Sequence, residues 1–349
     1  MRTFQSASKR RLRVLLGEEE PVKSAPSLSL AQALRSRGVD VVFSYGRKWR
    51  PTAWISAVRQ CDAIVWVGYS GPDLYWVKRL ALAVALGRPA IRWWVGSDVL
   101  YCLQDPVSRD RARILAGFFA RNIAVAPNLV EELSSIGIHA SVIPSVVDLG
   151  LSRAVSTSRF CPTRVLVYLP TTRRAFYGEA VVERAIRANP DLHFLVVGDE
   201  EHRFRRARNV ESLGWVSDMK PVYDRVGCLL RVTEHDGLPR MVMESLLLGK
   251  YVIYSGQLPG TWRARTYEEV QQGIDRFRDS MALNAEGVAA AKGLLTPPPE
   301  IDFLRELRDA IDEFGLCNRM DAFLRAIDVT VRDRIGRAKQ WLTLAEVRH

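Results

Sequence analysis

The sequence predicts an α/β protein built of two doubly wound parallel sheets in series, and three observations carry that prediction. Short β-branched and aromatic runs alternate with amphipathic segments along most of the chain, a pattern of βαβ units rather than of hairpins. The alternation lapses over 148–162, where Ser, Arg and Pro replace it as in a linker. It then starts afresh, so each series spans roughly 150 residues, the length of an ordinary domain.

In the first series, apolar runs place strands at Arg13–Leu16, Asp40–Phe43, Ala63–Trp66, Ala90–Trp94, Asn122–Ala126 and Ala140–Pro144. Between them, apolar residues at three- and four-residue intervals place helices at Leu28–Arg37, Ala53–Arg59, Tyr75–Leu86, Val107–Phe119 and Leu129–Ile136. The second series repeats the logic. Strands are expected at Arg164–Leu169, His193–Val197, Asn209–Leu213, Cys228–Val232 and Tyr251–Tyr254, with helices at Gly178–Ala188, Met219–Arg225 and Arg240–Leu248. A Thr-Pro-Pro-Pro breaker at Thr296–Pro299 precedes amphipathic helices at Phe303–Phe314, Met320–Gly336 and Ala338–Val347. The expected domains are therefore 1–158 and 159–300, both Rossmann-like, followed by a helical tail over 301–349. Two such sheets place a ligand cleft between the domains and at the carboxyl ends of the strands.

Charge is unevenly divided. The 349 residues carry a net charge of +11, with 48% hydrophobic and 26% charged residues. Residues 1–160 hold 22 basic and 12 acidic groups, whereas 161–349 hold 28 and 27. A basic first half suggests an anionic partner there: a membrane surface, a nucleic acid or a phosphorylated substrate. Arg47-Lys-Trp-Arg50, Lys9-Arg-Arg-Leu-Arg13 and Lys78-Arg79, near Trp49, Trp54, Tyr75 and Trp76, mix cations with aromatics as a bilayer-binding surface would. The same mixture suits single-stranded nucleic acid, a reading ranked lower because the second half carries no nucleic-acid module. Five widely spaced cysteines without a Cys-x-x-Cys pair indicate neither a disulfide framework nor a zinc site. No apolar stretch approaches the ~20 residues of a spanning helix, and no signal-peptide core follows the basic start. The expected location is cytoplasmic, with the membrane's inner face as a peripheral contact.

The most informative stretch is Thr233-Glu-His-Asp-Gly-Leu-Pro-Arg-Met-Val-Met-Glu-Ser-Leu-Leu-Leu-Gly-Lys-Tyr-Val-Ile-Tyr254. A strand ends near Val232, a polar loop follows, and Pro239 stands where a first-turn proline is tolerated. The helix then runs to Leu248 with Gly249 as its cap. Its N-terminus offers unpaired N–H groups and the positive end of a dipole, a site suited to a diphosphate. Asp236 precedes the helix, and Glu244 lies eight residues on, among Met241, Val242, Met243, Leu246 and Leu247. Carboxylates so placed suit sugar hydroxyls, since each accepts two hydrogen bonds from a vicinal diol.

These residues resemble the donor-binding signature of retaining GT-B glycosyltransferases, particularly family 4, with its Glu-x7-Glu motif. The resemblance implies a GT-B fold with a C-terminal donor domain, an N-terminal acceptor domain and a last helix crossing back to the first domain. It assigns ribose to Glu244 and the transferred sugar to Asp236, which replaces the usual Glu; Glu234 and His235 are close enough to compete. Gly237 and Leu238 open the diphosphate helix. Val165–Pro170 and Thr171-Thr-Arg-Arg-Ala-Phe-Tyr-Gly178 resemble the family's first C-domain strand and loop, so Arg173 and Arg174 become candidate phosphate binders, with Tyr177-Gly178 in place of Lys-Gly. Leu195-Val-Val-Gly-Asp199 and Leu213-Gly-Trp-Val-Ser-Asp-Met219 match two further segments, and Trp215 or Val216 would flank the base. In the first half, Arg92-Trp-Trp-Val-Gly-Ser-Asp-Val99 resembles a strand ending in a Gly-Ser/Thr-Asp turn. Ala126-Pro-Asn-Leu-Val-Glu-Glu-Leu133 and Val142-Ile-Pro-Ser-Val-Val-Asp148 are similar to two others. Asp98 becomes a catalytic candidate expected to face the cleft, against the alternative of a turn cap. Gly17, in Gly17-Glu-Glu-Glu20, would let the chain approach the donor.

What the resemblance implies is a retaining hexosyl transfer from a nucleotide-diphosphate sugar to a glycan, lipid-linked or small-molecule hydroxyl, with no cofactor and no obligatory metal. Absence of Gly-x-Gly-x-x-Gly and of a P-loop lowers the case for a dehydrogenase or an NTPase. A sugar-nucleotide epimerase on the same fold and a non-catalytic sugar-nucleotide binder are the alternatives.

Overall fold

A computed structural model describes residues 11–18, 26–45, 51–67, 74–147, 160–204 and 206–315, together with Met320 and Leu324. The chain divides into two compact units, Met1–Val146 with Pro298–His349, and Val147–Pro297.

In the first unit β1 (Arg13–Glu18), β2 (Asp40–Tyr45), β3 (Ala63–Val67), β4 (Ala90–Trp94), β5 (Arg121–Ala124) and β6 (Ser141–Val142) form one sheet in the order β2-β1-β3-β4-β5-β6. All five pairings are parallel. Strands buried on both faces read as continuous apolar runs, which is why β3 and β4 are buried at every position. The helices are α1 (Pro26–Ser36), α2 (Pro51–Gln60), α3 (Leu74–Ala85), α4 (Ser97–Gln104), α5 (Pro106–Ala116) and α6 (Pro127–Ser135). Trp54 and Val58 of α2 and Leu80 and Val84 of α3 pack with Leu15, Ile64 and Trp66 of the strands.

The second unit repeats the arrangement with β7 (Arg164–Tyr168), α7 (Glu179–Ala188), β8 (His193–Val197), β9 (Val210–Gly214), α8 (Lys220–Tyr223), β10 (Cys228–Arg231), α9 (Arg240–Leu247), β11 (Tyr251–Tyr254), β12 (Trp262–Arg263), α10 (Tyr267–Arg278) and α11 (Ala285–Leu294). Its order is β12-β11-β10-β7-β8-β9. Chain order therefore reverses between β7 and β10, and such a switch point opens a crevice at the carboxyl ends of the strands. Val182 and Ile186 of α7 and Ile274 and Phe277 of α10 bury against Val165, Val167, Phe194 and Leu230. On α11, Gly287 lets the helix approach Leu246 of α9, where an added Cβ would meet Leu246 at 2.9 Å.

Beyond the second unit, α12 (Pro299–Asp312) belongs to the first. Phe303 meets Trp93 edge to face at 5.5 Å, and Arg121 bridges Glu306 at 3.1 Å and Glu313 at 2.6 Å. This helix starts four residues before the expected Phe303 because Pro298 and Pro299 act as its first-turn entry rather than as a distant breaker. The expected helices at Met320–Gly336 and Ala338–Val347 lie outside the described residues, apart from Met320 and Leu324.

Four elements escape the sequence reading. Within 255–295 it assigns nothing, yet β12, α10 and α11 lie there. Between Gly96 and Asp105, α4 forms where only a turn is expected. The surface expected around Trp54 and Arg79 is also corrected: Trp54 is 1% exposed, Arg79 is buried, and the guanidinium lies 5.6 Å from the indole centroid. Arg47–Arg50, Trp49, Tyr75 and Trp76 lie where no side chain is described.

Candidate functional site

The switch point of the second unit gathers most of the predicted residues. Register fixes the floor. Leu230 of β10 pairs with Val167 of β7, and Arg231 pairs with Tyr254 of β11. One residue further along β7 stands Tyr168, so Arg231 ends its strand between two tyrosines on one face of the sheet.

Over this floor lie the loops after β7 and β10, tied to each other. Gly178 adopts φ 69, and a Cβ there would lie 2.8 Å from Val232, so only glycine permits the approach. Glu234 N–H donates to the Phe176 carbonyl at 2.9 Å. Thr233 N–H donates to Ser255 Oγ at 2.9 Å, that hydroxyl donates to the Thr233 carbonyl at 2.8 Å, and Thr233 Oγ1 donates to the His235 carbonyl at 3.0 Å. The loop carrying Glu234, His235 and Asp236 is thus fixed at both ends. Glu234 itself is exposed, and His235 is half-buried.

Asp236 accepts from Arg231 Nε at 2.7 Å, with the Arg231 side chain 10% exposed and that of Asp236 19% exposed. Gly237 and Leu238 are buried, and extended Pro239, whose side chain makes no cap bond, stands at the N-cap of α9. One and a half turns on, Glu244 accepts from Tyr223 Oη at 2.7 Å and from Arg240 Nε at 2.6 Å. Burial, reinforced by the Glu244 charge, pushes the Tyr223 phenol far above its ordinary range, so it stays a donor.

The two arginines after β7 separate. Arg173 is exposed at φ 57, its guanidinium 4.0 Å from the Phe176 ring centroid. Arg174 is 6% exposed, bridges Glu179, and reaches buried Asp199 at 2.9 Å. Arg174, expected as a phosphate cation, pairs with these two carboxylates through Nε and Nη1 and ties the β7 loop to the β8 loop. Trp215, directly after β9, is 51% exposed, and Val216 is half-buried.

In the first unit the structure shows what surrounds two further candidates. Asp98 does not present its carboxylate outward. Its side chain is 1% exposed, pairs with Arg92 at 3.1 Å, and accepts from the backbone N–H groups of Val95, Gly96 and Val99 at 2.9–3.1 Å. This is the turn-cap alternative, with the Arg92 guanidinium also 4.3 Å from the Trp94 ring centroid. Gly17 is buried because a Cβ there would sit 2.8 Å from the Trp66 ring, which packs over it from β3. Its glycine is required by sheet packing. Glu19 and Glu20 lie outside the described residues.

Arg231 and Tyr223 are the functional-site residues that sequence reasoning missed. An arginine inside an otherwise apolar strand, Cys228-Leu-Leu-Arg-Val232, was the available signal.

Neither a family model nor a curated protein sequence matches the chain. Solved structures do. HepE from Anabaena, in complex with UDP and glucose, superposes with a TM-score of 0.65 at 13% identity, covering 86% of this chain and 100% of that one. Sucrose-phosphate synthase from Thermosynechococcus elongatus gives 0.64 at 12% identity over 86% of this chain and 99% of that one. The pneumococcal O-GlcNAc transferase GtfA, in complex with UDP and GlcNAc, gives 0.53 at 12% identity over 74% and 60%. The fold is accordingly the α/β GT-B type. Among the described residues, no helix is long and apolar enough to cross a membrane.

Proposed function

We propose that the chain is a retaining glycosyltransferase that moves a sugar from a nucleotide-diphosphate donor to a hydroxyl of a glycan, lipid-linked or small-molecule acceptor. One observation carries the reading. At the switch point of the second sheet, a helix start without a side-chain cap, an exposed arginine and two positioned carboxylates come from the elements bordering the crevice. The UDP and UDP-sugar complexes of similarly folded proteins support the same conclusion.

In this mechanism the N–H groups of α9 and Arg173 hold the diphosphate, because both supply positive potential and Arg173 bridges no carboxylate among the described residues. Glu244 accepts from the ribose diol, and Asp236 from a hydroxyl of the transferred sugar. Trp215 offers an exposed indole face to the base, beside Val216. The bond between the anomeric carbon and the diphosphate oxygen breaks, and its electron pair leaves with the diphosphate. The acceptor oxygen forms the new bond on the same face, and its proton passes to the departing phosphate oxygen. The barrier falls through charge stabilisation and positioning rather than through a protein nucleophile. Arg174 and Asp98 act at a distance, each holding a loop in place.

The basic surplus of residues 1–160 supports an anionic acceptor or an anionic membrane surface on the acceptor side. A thermal-shift screen of UDP-, GDP-, ADP- and dTDP-sugars, followed by product analysis with the best donor, tests the reading. The expected result is stabilisation by one nucleotide series and release of nucleoside diphosphate. Release of a rearranged sugar from donor alone indicates an epimerase, and silence across the panel removes both enzymes.

A further inference from the structure

We propose that Arg231 is a positioning residue of the donor site, which orients the Asp236 carboxylate toward the transferred sugar from a row of buried and half-buried tyrosines. The inference rests on the donor-site reading above and deepens it.

The row follows from register. Arg231 pairs with Tyr254 on one side and stands beside Tyr168, the residue after Val167, on the other. All three end their strands on the same face. The guanidinium lies 5.3 Å from the Tyr168 ring centroid and 5.7 Å from that of Tyr177, whose ring meets Tyr168 edge to face at 5.2 Å. Burial raises the phenols of Tyr168 and Tyr254, and the nearby Asp236 charge raises both further, so the row is neutral apart from Arg231. The guanidinium therefore has little rotational freedom, and its Nε–H fixes Asp236 Oδ2 at 2.7 Å.

Stability does not account for this pair. Removing a guanidinium from water to 8% exposure is costly, and apolar residues of similar volume commonly leave a fold equally stable or more so. Nor is the arginine needed to shape the loop, which Ser255, Thr233 and the Phe176 carbonyl already hold. What Arg231 supplies is direction to one carboxylate that belongs to no helix or strand. A carboxylate held in a single direction meets a sugar hydroxyl without further ordering cost, whereas a free one must be immobilised in each turnover.

The test uses the full chain, the nucleoside diphosphate and sugar nucleotide selected in the screen, and release of free sugar to water as the chemical readout. The variants are Arg231→Met, Arg231→Lys, Asp236→Asn and the Arg231→Met/Asp236→Asn double. Arg231→Met is expected to lower kcat at least tenfold while the Kd for the nucleoside diphosphate, which lacks the sugar, stays within twofold. Arg231→Lys recovers part of the rate. The double variant loses no more rate than the worse single variant and melts within a few degrees of wild type. Wild-type turnover in Arg231→Met, or equal loss of nucleoside-diphosphate binding and rate, overturns the positioning role while leaving the donor site standing. A wild-type protein that binds no nucleoside diphosphate removes the donor site and this inference with it.

Discussion

Tyr223 and Glu244 are joined by a 2.7 Å hydrogen bond from the phenol to Oε2, while Arg240 donates to Oε1 at 2.6 Å. Tyr223 comes from α8 and Arg240 from α9, so two elements aim one buried carboxylate. If that carboxylate binds ribose, losing it removes charge-assisted hydrogen bonds worth about 1.5–3 kcal/mol. Glu244→Ala should then weaken nucleoside-diphosphate binding by roughly tenfold or more. Tyr223→Phe should cost less, since it misdirects the carboxylate without removing it. Calorimetry on both variants checks the order.

The arginines after β7 should part company. Arg173→Ala should reduce affinity for a nucleoside diphosphate and leave the melting temperature nearly unchanged, because its exposed guanidinium bridges no carboxylate among the described residues. Arg174→Ala should do the reverse. It strands fully buried Asp199, and breaking one side of a buried pair costs about 3–5 kcal/mol. Thermal denaturation and calorimetry on the two variants, side by side, decide the assignment.

Asp98→Ala should act as a stability variant. Three backbone N–H groups lose their acceptor and Arg92 loses its carboxylate partner, so a loss of about 3–5 kcal/mol is expected. Asp98→Asn keeps an acceptor for the turn and should lose less. Turnover per folded molecule, measured well below the melting point, should stay within a few-fold of wild type.

Alkaline stability follows from three buried thiols, of which burial raises Cys228 furthest. Cys61 and Cys102 are 0% and 1% exposed, and burial raises each thiol to about 11 from its ordinary value of 9.0. Between those values the unfolded chain releases protons that the native chain retains. Stability is therefore complete below pH 9 and falls as pH rises, by about 1.4 kcal/mol per pH unit per thiol. Chemical denaturation from pH 8 to 10.5 should show this slope, and Cys61→Ala/Cys102→Ala should reduce it to the share that Cys228 contributes. Half-buried Cys161 should be alkylated at pH 8.5 while the three buried thiols resist.

How much of this was legible depends on where the information resides. β4 and β8 were readable to the residue, because strands buried in a parallel sheet are short runs rich in β-branched and aromatic residues. The α10 helix escaped the reading, although Thr266 and Glu269 form a capping box whose Thr-x-x-Glu pattern stands in the sequence. α4 was hidden by its own start: Asp98 reads equally as a turn cap or a cleft residue until its three N–H partners are seen. Arg231 and Arg174 could not be assigned by inspection. Their roles depend on which strands and loops become neighbours, and β7 and β10 are separated by some sixty residues of chain. Local pattern thus supplied the motif, and strand order supplied its wiring.

The most direct measurement is a calorimetric titration of UDP, GDP, ADP and dTDP into wild-type protein and into Glu244→Ala. One nucleoside diphosphate should bind wild type with a one-to-one stoichiometry, and the variant should bind it at least tenfold more weakly. Equal affinity in the two proteins, or heat from none of the four, contradicts the placement of a donor site at the switch point of the second sheet.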